Sequence, residues 1–239
     1  IIYQTMMDSV KKGLETIGVL PGKLEIKRKA NYLYYQRSKE TDASEIARRK
    51  LVAYAYAASE ENASGGEIVT SPTCGAAGVL PACVRYAVDT NLYTHEEIIN
   101  ALKVAGLIGN IVKHNASISG AEAGCQAEVG TACSMAATFL VSLKLTTFEE
   151  IECAAEIALE HHLGLTCDPI EGYVQIPCIE RNAVAALRAL DAAKLATYLN
   201  NSESKISFDT VVATMLQTGK DLHANYRETS EGGLAKHFK

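Results

Sequence analysis

Three short stretches of the sequence concentrate the residue types that could do chemistry, and the first is residues 71–78, SPTCGAAG. A glycine-rich turn that leads into a helix exposes unpaired backbone N–H groups, and the helix dipole favours an anion there. The hydroxyls of Ser71 and Thr73, with the backbone near Gly75, are therefore candidates for holding a carboxylate or a phosphate. The alternative is an ordinary capped helix start.

The second stretch is residues 115–122, NASISGAE, followed directly by CQAE at 125–128. Asn115, Ser117 and Ser119 alternate, which would place their hydrogen-bonding side chains on one side of an extended turn. The stretch precedes a segment rich in small residues that carries Cys125. A long helix N-cap is the alternative interpretation.

The third stretch is residues 164–178, GLTCDPIEGYVQIPC, in which Cys167 and Cys178 bracket a loop held by two prolines. Thiolates that bind a metal need fixed directions, and a Pro/Gly loop can supply them. A tetrahedral zinc site would need a fourth ligand that the loop does not provide. Three thiolates on a four-iron cluster would instead leave one iron open to substrate. From spacing alone, a purely structural loop is also consistent with the sequence.

The cysteine usage is typical of a reducing compartment. There are seven cysteines, an odd number, and no CxxC pair, which excludes the common zinc-knuckle and thioredoxin spacings. The N-terminus has no basic region followed by an apolar one, so we expect a cytoplasmic protein without an export signal. Most free cysteines are buried small hydrophobes.

The elements that must position these stretches are predicted to be helical. Thr94 with Glu97 and Thr147 with Glu150 are capping boxes that open two helices. Apolar periodicity adds helices at about 6–17, 43–60, 179–199 and 208–218. Only residues 173–176 alternate as a strand would. We therefore expect an all-α fold, a single domain over 1–239, built around a central helix rich in small residues near 121–143.

Composition and charge exclude several classes of protein. The 239 residues are 48% hydrophobic and 21% charged, which is ordinary globular usage. The formal net charge of -5 argues against a nucleic-acid-binding surface. The apolar stretches 68–84 and 129–143 are too short or too polar to span a membrane, so we expect no membrane partner.

The three stretches also carry a family resemblance. The strings SPTCGAAGVLPA, NASISGAEAGCQAEVGTACSMAA and GLTCDPIEGYVQIPCIERNA resemble the α part of the iron–sulfur-dependent L-serine dehydratases. LETIGVLPGKL near the start and YRETSEGGLA near the end are similar too. The resemblance covers essentially the whole chain, and its motifs are long and ordered.

The resemblance implies a helical domain that holds a [4Fe–4S] cluster through Cys125, Cys167 and Cys178. It implies deamination of L-serine to pyruvate and ammonia without pyridoxal phosphate, with the open iron binding the serine hydroxyl as a Lewis acid. Ser71, Thr73 and Gly75 would then hold the substrate carboxylate, and Asn115, Ser117 and Ser119 would orient its polar groups. The other four cysteines do not match ligand positions and are expected to be buried thiols.

The resemblance leaves the base that removes the α-proton outside this chain. The ionisable side chains within the three stretches are thiols and the carboxylates Glu122, Glu128, Asp168 and Glu171, with no histidine. The family's Ser-Ser-Ser-His-Thr-type motif is absent here, so a β subunit or an N-terminal β domain is an expected partner, in a homo- or hetero-oligomer. A base within this chain would be sought first at His161, which lies beside Glu160, or at Lys113. For His161, a solvated helix end is the competing interpretation.

Two other functions compete with serine dehydration. A related cluster-dependent lyase would act on cysteine and release sulfide by the same elimination. Alternatively, the chain would be a non-catalytic structural subunit whose cysteines bind no cluster or hold zinc. A spectrum after anaerobic reconstitution, and turnover of serine against cysteine, separate these possibilities.

Overall fold

The computed structural model describes residues 1–36, 42–144, 146–199 and 204–238. These residues form α-helices joined by turns and short 3₁₀ segments, and no β-sheet is found among them, which confirms the all-α prediction. The helices are α1 Ile2–Glu15, α2 Ala30–Tyr35, α3 Ala43–Ala63, α4 Val79–Asp89, α5 His95–Asn115, α6 Gly120–Ala123, α7 Thr131–Ser142, α8 Phe148–Glu160, α9 Cys178–Leu199, α10 Phe208–Asp221 and α11 Gly233–His237. No helix in the described ranges is both long and apolar enough to cross a membrane.

Local sequence signals set the starts of several helices. Both predicted capping boxes form, at Thr94 for α5 and at Thr147 for α8, each with the side-chain oxygen accepting from the third helical amide. The Asp42 side chain caps α3 by accepting from the amide of Ser44. These caps are short-range features, so the sequence alone locates them well.

Helix α7 lies at the centre of the molecule. Every residue of α7 from Thr131 to Val141 is buried, and the helix packs against α4, α5, α8 and α9. Its alanine, serine, threonine and cysteine side chains are small enough to let four neighbouring helices approach. Helix α9, which begins at Cys178, packs against α3, α7 and α8. The small-residue centre that the sequence predicted is therefore present.

The predicted continuous helix over 121–143 is wrong at its beginning. The backbone breaks after α6 at Gly124, where φ is +75°, and a π-helical turn over Gln126–Gly130 then leads into α7. A Cβ at Gly124 would lie 2.7 Å from the carbonyl oxygen of Leu165, so glycine is required for this close approach. The break places Cys125 at a corner of the chain, not on a regular helix face.

The alternating residues 173–176 do not form a strand. They belong to a compact turn in which the amide of Ile170 donates to the carbonyl of Ile176 at 3.0 Å. The buried Gln175 side chain donates to the carbonyl of Pro21 at 2.7 Å, which ties this turn to the segment after α1. A four-residue alternation between Gly172 and Pro177 is too short to specify a strand without a partner strand.

Candidate functional site

Two of the three predicted ligand cysteines meet directly. The sulfurs of Cys125 and Cys167 and a carboxylate oxygen of Glu128 all lie within 4.8 Å of one another. Cys125 follows the break at Gly124, and Cys167 lies in the loop after α8, so residues far apart in sequence converge. Both cysteines are 3% exposed.

Cys178 lies beside this pair at the first turn of α9. Its side chain is buried and it interacts electrostatically with Cys125 and Glu128, although its sulfur lies outside the tight three-residue group. Burial raises the pKa of its thiol to about 12. The three cysteines therefore converge on one buried region from three separate segments, and all three are free thiols.

Glu128 is the polar centre of this region. Its carboxylate accepts a hydrogen bond from the Thr73 hydroxyl at 2.8 Å and one from the Cys167 thiol at 3.9 Å. Burial raises the pKa of this carboxyl above its ordinary value. Sequence analysis noted Glu128 only as an ionisable side chain. Its spacing three residues after Cys125, one helical turn, was the signal that could have placed the two together.

Arg181 joins the cysteines to the loop between them. Its guanidinium donates to the Cys125 sulfur at 3.4 Å, to the carbonyl of Thr166 at 2.6 Å and to the buried carboxylate of Asp168 at 2.8 Å. The pKa of the Cys125 thiol lies below its ordinary value, because the neighbouring Cys167 thiol and the Arg181 charge stabilise its thiolate form. The neighbouring Cys125 sulfur, together with burial, raises the pKa of Cys167.

Asn182 ties the first stretch to Cys178. Its Nδ2 donates to the carbonyls of Gly75 and Cys178, both at 2.8 Å, and its Oδ1 accepts from the amide of Gly78 at 2.9 Å. Neither Arg181 nor Asn182 was singled out from the sequence. Their positions three and four residues after Cys178 place them on its helix face, which is the pattern that could have identified them.

The segment before α11 fixes Cys167 from the other side. The amide of Cys167 donates to the carbonyl of Tyr226, and its carbonyl accepts from the amide of Glu228, both at 2.8 Å. Further along, the amide of Leu234 donates to the Asp168 carboxylate at 2.7 Å. Both backbone groups of a ligand-position cysteine are thus held by a segment distant in sequence.

The first stretch reaches the cysteines through Thr73 and Gly75, but not through Ser71. Ser71 is 1% exposed and lines a separate apolar groove of about 580 Å³. The amides of Ala77 and Gly78 donate to Cys74 and Asn182, whereas those of Gly75 and Ala76 donate to no protein acceptor among the described residues. Of these two residues, Gly75 lies beside Glu128, whereas Ala76 is buried in the hydrophobic core.

The second stretch is arranged differently from the predicted extended turn. Asn115 is the last residue of α5 and is exposed. The Ser117 hydroxyl donates to Glu122 at 2.6 Å and accepts from the amide of Ser119 at 3.1 Å, which stabilises the start of α6. Only Gly120, after Ser119, contacts the site: a Cβ there would lie 2.5 Å from Glu128 Oε2 and 3.1 Å from Cys167 Sγ.

The remaining cysteines and the histidines lie apart from this group. Cys83 and Cys133 are buried as expected, but Cys74 is exposed and Cys153 is half-buried, so the buried-thiol expectation is wrong for Cys74. His161 is exposed at the end of α8, where its ring bonds the carbonyl of Ile157 at 2.8 Å. His162 is buried, and burial lowers the pKa of its ring to about 4.

The donors in this region suit a metal-containing group. Two thiols and a carboxylate within 4.8 Å can hold one metal ion, and the third free thiol lies beside them. Thiol sulfur is the donor that iron–sulfur clusters use. The residues therefore fit a group held by Cys125, Cys167 and Cys178.

The fold and site define a helical protein with a buried thiol-and-carboxylate centre, and sequence comparison gives its family. Residues 1–235 match the family model described as serine dehydratase alpha chain. The chain is 47% identical to an L-serine dehydratase of Streptomyces coelicolor, with 98% of this chain and 51% of the relative aligned. It is 47% identical to L-serine dehydratase 2 of Escherichia coli K12 over 98% of this chain and 52% of that protein.

The chain belongs to the serine dehydratase alpha chain family. A third relative, an L-serine dehydratase of Helicobacter pylori, is 46% identical over 100% of this chain and 53% of its own length. The chain thus spans about half the length of the curated relatives it matches. The family predicted from the motifs is confirmed.

Proposed function

We propose that this chain is the cluster-binding α part, a single domain over residues 1–239, of a cytoplasmic L-serine dehydratase that forms pyruvate and ammonia. The observation that carries the proposal is the meeting of Cys125 and Cys167 with Glu128 in a chain of the serine dehydratase alpha chain family. Relatives named L-serine dehydratase at 46–47% identity support the same substrate.

The proposed cofactor is a [4Fe–4S] cluster held by Cys125, Cys167 and Cys178, with no pyridoxal phosphate. When bound, it would supply a Lewis-acidic iron that makes the serine hydroxyl a better leaving group. Arg181 holds Cys125 and the loop before Cys178 in place, and the backbone bonds from Tyr226 and Glu228 fix Cys167.

The amide of Gly75 is proposed to receive the substrate carboxylate, because Gly75 lies beside Glu128 at a turn that leads into α4 and its amide has no protein acceptor among the described residues. Thr73, whose hydroxyl donates to Glu128, is proposed to orient this part of the substrate site. Ser71, Asn115, Ser117 and Ser119 have weaker support. Ser71 faces the apolar groove, Asn115 is exposed, and the Ser117 hydroxyl already has two partners. For these four, we propose roles in shaping the two stretches.

The base that removes the α-proton is proposed to come from a second part, either a β subunit or a further domain. His161 is exposed at the far end of α8 and His162 is held by the carbonyl of Ala158, so neither is placed to act on a substrate at the cysteines. The relatives are about twice as long as this chain, which leaves room for such a part. The apolar groove that Ser71 lines is a suitable surface for it.

Anaerobic reconstitution with iron and sulfide tests the cofactor. We expect an absorbance band at about 400 nm, and its appearance should require all three cysteines. A colourless protein with stoichiometric zinc would contradict the cluster and favour the structural-subunit alternative. In that case Cys125, Glu128 and Cys167 could hold the single zinc ion.

Turnover tests the reaction. We expect the cluster-loaded chain to become a dehydratase on addition of the second part, with a rate gain of about 10²-fold or more, the usual scale for one general base. Activity should be lost in air and restored by ferrous iron and thiol. A preference for cysteine over serine would reassign the chain to a desulfidase, and full activity in air with a chelator would contradict the cluster mechanism.

A further inference from the structure

Two buried carboxylates in this chain, Glu61 and Asp168, have cationic partners, whereas Glu60 and Glu156 form no ion pair among the described residues. Glu61 pairs with Arg28 at 2.9 Å and with Lys12 at 3.0 Å. Asp168 pairs with Arg181 at 2.8 Å. A buried carboxylate without such a partner is costly, because burial removes its hydration.

Glu128, which is half-buried, also has no cationic partner. Among the described residues, no lysine, arginine or histidine forms an ion pair with it, and its hydrogen-bond donors are the neutral Thr73 hydroxyl and Cys167 thiol. Its charged neighbour is Glu228, which has the same sign. The site therefore contains a carboxylate whose cationic partner is missing from the protein.

Two glycines allow Glu128 to lie close to the backbone of neighbouring segments. A Cβ at Gly120 would lie 2.5 Å from Oε2, and one at Gly75 would lie 3.3 Å from Oε1. Thr73 holds Oε1 in a fixed direction at 2.8 Å. The position and orientation of the carboxylate are thus set by the segments around it.

Other carboxylates near the cysteines do not have this character. Asp168 is neutralised by Arg181 and accepts from the amide of Leu234. Glu122, Glu171 and Glu228 are exposed to solvent. Glu128 is therefore the carboxylate that combines proximity to Cys125 and Cys167 with partial burial and the lack of a cationic partner among the described residues.

We propose that Glu128 binds the α-ammonium group of the amino-acid substrate. This inference rests on the proposed function, because the substrate's hydroxyl end must be directed at the centre that Cys125 and Cys167 hold. Gly75, whose amide donates to no protein acceptor among the described residues, lies next to Glu128, so the carboxylate and ammonium groups of one substrate have adjacent receptors of opposite polarity. Glu128 would thereby select amino acids over the corresponding acids that lack the amino group.

The test uses the cluster-loaded chain combined with the second part of the enzyme. Binding of L-serine and of 3-hydroxypropionate, which is serine without its ammonium group, is followed by the change each causes in the cluster spectrum. We expect Glu128→Gln to weaken L-serine binding about 10- to 100-fold, the scale of a charge-assisted hydrogen bond. The variant should bind 3-hydroxypropionate as well as the native protein does, and its cluster absorbance should be unchanged.

Two further variants sharpen the result. Glu128→Asp keeps the charge and should bind serine better than Glu128→Gln. Glu171→Gln removes an exposed carboxylate from the loop between Cys167 and Cys178 and should bind serine normally. If Glu128→Gln weakened the binding of L-serine and of 3-hydroxypropionate equally, or bound L-serine normally, the role of Glu128 would be overturned while the proposed function would stand. A native enzyme that neither binds nor converts serine would overturn the proposed function and this inference with it.

Discussion

Two regions of the molecule hold glutamates away from solvent to different degrees and with different partners. On α3, the buried Glu61 pairs with Arg28 and Lys12, and the buried Glu60 accepts the amides of Lys29 and Ala30 at 2.6 and 3.3 Å. Near the cysteines, the half-buried Glu128 accepts from two neutral side chains and has no cationic partner among the described residues. The first region satisfies its carboxylates with cations and backbone amides from other segments, whereas the second leaves a carboxylate without a counter-charge.

The sharpest way to test this contrast is to remove a thiol. Cys167→Ser should abolish the cluster absorbance after reconstitution, because Cys167 is one of the two cysteines that meet at Glu128. Cys74→Ser removes an exposed thiol from the neighbouring loop and should load normally. Iron and sulfide analysis measures both variants. Equal loading would show that the converging cysteines do not hold the cluster.

Substitutions near α3 should change the free energy of unfolding and leave cluster loading unchanged. Arg28→Ala leaves the buried Glu61 with only the exposed Lys12, and it should lower the free energy of unfolding by about 3 kcal/mol. Urea denaturation measures the change. Arg48→Ala breaks an exposed pair with Asp191 and should cost less than about 1 kcal/mol. If Arg28→Ala lost much of its cluster loading at a temperature where it is folded, the proposed difference between the two regions would be contradicted.

Arg181 combines features of both regions, since it forms an ion pair with a buried carboxylate, Asp168, and also contacts Cys125. Arg181→Met should weaken retention of the cluster about 10- to 100-fold, the usual effect of residues that orient metal ligands. Loss of iron to a chelator measures it. Arg188→Met, on the same helix, removes a bond to the carbonyl of His161 and should retain the cluster normally.

The pH dependence of stability should report on Glu60. Burial raises the pKa of this carboxyl from 4.5 to about 6. The folded state then binds this proton more tightly than the unfolded state does. Protonated Glu60 therefore adds to the free energy of unfolding in full below pH 4.5, and this stabilisation is lost as the pH rises through about 6. Between these pH values, the free energy of unfolding should fall by about 2 kcal/mol in the native chain and should change less in Glu60→Gln. Parallel curves for both proteins would contradict this.

The smallest expected effect is at Glu128 in the cluster-free chain. Glu128→Gln keeps an oxygen for the Thr73 hydroxyl and removes an uncompensated, half-buried charge. Stability at neutral pH should therefore be unchanged or higher by about 1 kcal/mol, whereas Glu61→Gln should be destabilising. Urea titrations of the two variants side by side measure the difference. Destabilisation of similar size in both would mean that Glu128 has a structural role like that of Glu61.

The sequence predicts those parts of this structure that depend on neighbouring residues. The capping boxes at Thr94 and Thr147 form as expected because each involves residues three apart. The break at Gly124 was missed, since it depends on the distant carbonyl of Leu165. Family motifs predicted that Cys125, Cys167 and Cys178 lie together, which the structure shows for Cys125 and Cys167, but the lack of a counter-charge at Glu128 appears only when the helices around it are in place. Asn182 was missed for the same reason.

The two bonds that hold the backbone of Cys167 have a consequence for biosynthesis. Because Tyr226 and Glu228 supply them, the loop that carries Cys167 reaches its final geometry only after that later segment has left the ribosome. At about 5–20 residues per second, translation of the intervening chain takes several seconds. During that interval Cys125 and Cys167 are thiols without a fixed site. The proposed cluster would thus be inserted after synthesis of this segment and not during it, which would make the nascent chain dependent on a reducing environment until the segment around Tyr226 and Glu228 docks.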